Sequence, residues 1–108
     1  MIPEIKKAPN AQKWTVELVS RHLDIIELSL RNEYCFFLGW ALKGQGLPRH
    51  VWSYWKKRFA GNDDIIERML VIDSQFEAKI LTAGLQNVLP AEIAIWTLRT
   101  AYGWKNRR

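Results

Sequence analysis

From Asp63 to Leu85 an apolar residue returns at every third or fourth position: Ile65, Met69, Ile72, Phe76, Ile80 and Ala83. On a helix those steps fall on one face. A seam of this length calls for about six helical turns, with other elements laid along it. Asn62 or Asp63 suits the cap, and Asp63, Asp64 and Glu67 favour the positive end of the helix dipole. Ile66, Leu70 and Leu81 form a second stripe on the same helix. Two stripes imply two neighbours: the helix's own domain and a second subunit.

The rest of the chain reads as helices able to cover that seam. Val16, Val19, Leu23, Ile26 and Leu30 share a stripe, widened by Leu18 and Ile25, which predicts a helix from about Thr15 to Leu30. A second helix is expected from about Asn32, its cap, to Lys43. Its small residues Gly39 and Ala41 would admit a close crossing, and Gly44 and Gly46 would end it. Pro48 suits the first position of a third helix ending near Phe59. Pro90 opens a last helix, which Gly103 stops. No strand-like alternation of useful length competes. The expected fold is therefore all-α with about five helices, a helix-turn-helix within residues 36–59 and a helical hairpin over 63–102. Residues 14–108 form one helical domain, and 1–13 form a flexible basic arm.

The chain has 108 residues, 48% of them hydrophobic, which suffices for a packed core. No apolar run reaches membrane-spanning length, and the first residues lack the apolar centre of a secretory signal. The single cysteine, Cys35, lies among Tyr34, Phe36 and Phe37 and is expected to be buried and inert. A cytoplasmic setting is the expectation.

Net charge is +5, and it is unevenly placed. Residues 48–60 carry Arg49, Lys56, Lys57 and Arg58 with no acid. Lys6 and Lys7 at one end, and Lys105, Arg107 and Arg108 at the other, add further positive charge. Residues 61–98 are net acidic. A concentrated basic patch steers polyanions far better than a diffuse excess does.

On a wheel of 100° per residue, Val51, Trp52, Trp55 and Phe59 share one arc of about 100° and should face the core. Arg49, His50, Ser53, Tyr54 and Lys57 spread over the opposite side. This outward face can bond phosphates and base edges, and a helix fits the DNA major groove. Lys56 and Arg58, at its margins, suit phosphate contacts. Lys6, Lys7, Lys105, Arg107 and Arg108 are candidate phosphate clamps.

Catalytic constellations are absent from this reading. His22 and His50 lack the spacing of a metal site, and no Walker A sequence is present. The acids Asp63, Asp64, Asp73 and Glu77 read as capping and solvating groups. Trp104 reads either as a lid folded back on the bundle or as an anchor for a partner. No cofactor and no enzymatic activity are expected.

Two segments carry a family resemblance. Residues 41–59, ALKGQGLPRHVWSYWKKRF, resemble the helix-turn-helix of phage terminase small subunits, with its tryptophan-bearing recognition helix. Residues 89–106, LPAEIAIWTLRTAYGWKN, resemble that family's ending: a proline-opened helix, Ala-Ile-aromatic, Leu-Arg, then Gly-Trp. The resemblance covers residues 34–106. It implies DNA recognition without catalysis, assembly into oligomers, and transfer of viral DNA to a terminase large subunit in the bacterial host cell. Two rivals share the residue pattern: a helix-turn-helix transcriptional regulator, and a helical adaptor that oligomerises through Ile66, Leu70 and Leu81 without binding nucleic acid.

Overall fold

The computed structural model describes residues 14–105. They form five helices: α1 (Val16–Ser29), α2 (Leu38–Lys43), α3 (Val51–Arg58), α4 (Asp63–Leu85) and α5 (Ala91–Tyr102). No strand occurs among the described residues, so the fold is all-α as expected. The expected basic arm, residues 1–13, lies outside them.

α4 is the axis. The Asn62 side chain caps it, accepting from the Ile65 amide at 3.1 Å. All six seam residues, Ile65, Met69, Ile72, Phe76, Ile80 and Ala83, are buried. The seam serves two cores in series. Its first half packs against Val19, Leu23 and Ile26 of α1, and against Trp14, Trp52, Trp55 and Phe59. Beyond Phe76 it enters a smaller core, where Ile80 meets Ala94 and Leu98 of α5 and the half-buried Phe36, Phe37 and Leu89.

The stripe on α1 is narrower than the sequence suggests. Val16 and Ile25 are exposed, and only Val19, Leu23 and Ile26 are fully buried. Thr15 caps α1 through its hydroxyl, which accepts from the Leu18 amide at 3.1 Å. Arg68 of α4 then ties the two helices together. Its guanidinium donates to Asp24 at 2.7 Å and to both Glu27 oxygens at 3.0 and 3.2 Å. Burial opposes the Arg68 charge, but hydrogen bonds and proximity to Glu27 and Asp24 outweigh it, and its pKa is raised.

The expected second helix is shorter than its sequence suggests. It starts at Leu38, not near Asn32. Asn32 instead accepts from the Tyr34 amide at 2.9 Å and holds a turn. The Lys79 ammonium of α4 donates to the carbonyls of Leu30, Asn32 and Cys35 at 2.9, 2.6 and 2.7 Å. Three charge-assisted bonds make the non-helical path worth keeping. Burial among these groups pushes the Lys79 pKa down. Cys35 is half-buried rather than buried, its thiol 3.9 Å from the Phe37 carbonyl.

Turns follow from a few residues. Gly46 takes a left-handed φ of 74° while Gly44 stays right-handed at −61°, so only Gly46 provides the stop expected of both. The Leu47 amide then closes on the Leu42 carbonyl at 3.0 Å. Pro48 lies in a turn before α3, which begins at Val51. Pro90 is the N-cap of α5, and Gly103 ends that helix with a left-handed φ of 74°. Near this end, burial pushes the Tyr102 phenol up to about 12, and the carboxylates of Asp73 and Glu77 push the same way.

The close helix crossing is at Gly84, not at Gly39. A Cβ at Gly39 would meet nothing within 4 Å, whereas one at Gly84 would sit 2.7 Å from the Ala94 Cβ. The two effects of Gly84→Ala thus oppose each other. Helix propensity favours alanine by about 1 kcal/mol, and forcing α4 from α5 costs about 1–3 kcal/mol. Gly84→Ala should therefore lower the melting temperature; an unchanged or higher value in thermal unfolding would contradict this contact.

Candidate nucleic-acid interface

An eight-residue helix such as α3 is held by its packing rather than by its own hydrogen bonds. Its inner face is the one that the wheel indicates: Val51, Trp52, Trp55 and Phe59 are buried. Trp55 is fully enclosed. Trp14 meets it edge-on with ring centroids 5.1 Å apart, and His22 stacks on it at 5.8 Å. His22 Nδ1 also lies 2.6 Å from the Gln45 side-chain oxygen, and Gln45 donates to the Ala41 carbonyl at 3.0 Å. His22 is thus a packing residue joining α1 to the α2–α3 turn.

A second anchor holds the other edge of α3. Asp73 of α4 accepts from the Trp52 indole at 3.1 Å and from the Lys56 ammonium at 2.7 Å. One carboxylate therefore fixes two successive turns of α3 against α4. Nothing in the sequence pairs these groups, and Asp73 reads there as a solvating acid. Glu77, one turn further along α4, accepts from the Trp104 indole at 2.5 Å. Trp104 therefore folds back on the bundle, with its backbone amide bonded to the Leu98 carbonyl at 3.0 Å.

The outward face combines Ser53 and Lys57 of α3 with Arg49 and His50, which stand in the turn before α3 rather than on the helix as expected; all four are exposed. Among the described residues no acid lies in ion-pair range of Arg49 or Lys57. Tyr54 is half-buried and packs against the core edge. The marginal cations differ from the frontal ones. Lys56 is paired with Asp73. Arg58 donates to the Trp14 carbonyl at 3.2 Å and lies 4.9 Å from the centre of the Phe59 ring. Both therefore spend part of their donor capacity inside the domain.

The remaining candidates divide. Lys105 is exposed, and Lys6, Lys7, Arg107 and Arg108 lie outside the described residues. On α4, Leu70 and Leu81 are exposed and Ile66 is half-buried. No group of three His, Cys, Asp or Glu residues among the described ones is arranged to hold a metal ion, and no described helix is long and apolar enough to cross a membrane. Comparison with family models, with curated proteins and with solved structures gives no match to this chain.

The Asp73 anchor separates two effects. Asp73→Asn keeps an acceptor for Trp52 and loses only a half-exposed ion pair, which should cost less than about 1 kcal/mol. Asp73→Ala removes the acceptor of the part-buried indole N–H as well and should cost about 1–3 kcal/mol. Urea unfolding of the two variants checks this, and equal losses would show that the indole bond contributes nothing of its own.

Proposed function

We propose that the chain is a non-catalytic DNA-binding small subunit of a phage or prophage terminase, with α2, the turn at Gly46 and α3 acting as a helix-turn-helix. The observation that carries this reading is the division of α3. Its tryptophans are buried behind, and its cations and hydrogen-bonding groups stand in front with no acid among them. A helix of that kind suits the major groove, with Arg49 placed to bond a guanine edge and Lys57 a phosphate. Ser53, His50 and Tyr54 fill the face between and beside them. Lys56 and Arg58 add charge at the margin, and Lys6, Lys7, Lys105, Arg107 and Arg108 serve as clamps.

The terminase assignment rests on the resemblance of residues 41–59 and 89–106 to that family. Packaging proteins of this kind assemble and hand DNA to a large subunit, in this reading inside a bacterial host. The exposed stripe of Leu70 and Leu81, with Val71 beside it also exposed, supports self-assembly through α4. A transcriptional regulator would use the same α3 face, and neighbouring genes for a large subunit or portal would separate the two roles.

Arg49→Ala combined with Lys57→Ala should weaken duplex binding in a fluorescence-anisotropy titration. The slope of log affinity against log salt should fall by about one, for the lost phosphate contact of Lys57, while loss of the Arg49 base contact lowers affinity and relaxes specificity. Both residues are exposed, so the variant should fold normally. Unchanged affinity and slope in a folded variant would remove α3 from the interface.

A further inference from the structure

Beside the front of α3 lies a groove of about 1180 Å³ between α2, α3 and α5. Leu42, Leu47, Trp52 and Ile80 contribute to its apolar lining. Two indoles line its walls while remaining largely open to solvent: Trp40 of α2, 62% exposed, and Trp96 of α5, 66% exposed. Large aromatics left open in the lining of a groove are the usual anchors of a partner's apolar side chains.

Charge selects the partner. Lys43 and Arg49 line the groove and are exposed, with no acid in ion-pair range among the described residues. The acid lining it, Asp73, already accepts from Lys56 and Trp52. The groove therefore presents apolar walls with a positive rim. We propose that it receives an acidic amphipathic helix of a partner protein, apolar side chains between Trp40 and Trp96 and carboxylates at Lys43 and Arg49. The inference stands on the groove and does not depend on DNA binding. If α3 binds DNA as proposed above, a seated helix covers Arg49 and Ser53, and the two partners exclude one another.

The test uses the full chain and a synthetic amphipathic peptide of about four helical turns, with Leu and Phe on one face and Glu elsewhere. Tryptophan fluorescence follows the titration, and the same peptide with Lys in place of Glu is the control. The acidic peptide should bind in the micromolar range and the basic one at least about tenfold more weakly. Trp96→Ala and Arg49→Glu should each weaken the acidic peptide by about tenfold, while Arg21→Ala, on α1 and outside the groove, should leave it unchanged. All three positions are exposed, so circular dichroism should match the parent. Equal affinity for the two peptides, no binding up to about 1 mM, or indifference to Trp96→Ala would overturn the proposal. So would a single-stranded oligonucleotide whose binding requires Trp96 when the acidic peptide does not bind, since that assigns the groove to nucleic acid.

Discussion

The position of α3 depends on one buried side chain. Trp55 closes a three-ring cluster with Trp14 and His22, which also touch each other, with Trp52 6.0 Å away, and no part of it reaches solvent. Among the described residues its buried indole N–H meets no hydrogen-bond partner. Leaving such a donor unmet costs about 1–3 kcal/mol, whereas truncating a buried tryptophan costs about 3–5 kcal/mol. Packing therefore outweighs the orphan donor. Because the ring is locked, the rotation of α3 about its own axis is locked too. The 100° step of the helix then carries Ser53 and Lys57 to the far side, with Arg49 in the turn that leads into the helix.

The basic residues divide by what they touch. Arg68 ties α4 to α1, Lys79 holds the carbonyls of the loop before α2, and Lys56 meets Asp73. Each cation fastens two parts of the chain; carboxylates balance Arg68 and Lys56, and Lys79 is solvated by backbone carbonyls. Arg49, Lys57 and Lys43 are exposed and stand apart from any acid among the described residues. A tally of charge by segment treats Lys56 and Lys57 alike, although the structure employs one and presents the other. Effective surface charge is a property of the fold.

Local periodicity made much of the architecture legible. The α4 seam and the inner face of α3 lie where the sequence places them, because a three-to-four-residue apolar repeat on a helix leaves little choice of buried side. The start of α2 was not legible, since it is decided by Lys79, 44 residues from Cys35 in the chain. The same holds for Asp73, whose partner Trp52 is 21 residues away. The groove was hidden for a related reason: Trp40 and Trp96 belong to separate helices, and only the tertiary fold makes them neighbours of one cleft. Sequence reading recovers faces, and long-range polar pairs and clefts between elements need coordinates.

The locked front of α3 is the proposed DNA-contacting surface. The most direct measurement is an amide chemical-shift map of the protein, titrated by nuclear magnetic resonance with a short duplex at low salt. The largest changes should fall at Arg49, His50, Ser53 and Lys57, with Leu70 and Leu81 on α4 unmoved. Changes confined to α4, or none anywhere at saturating duplex, would contradict it.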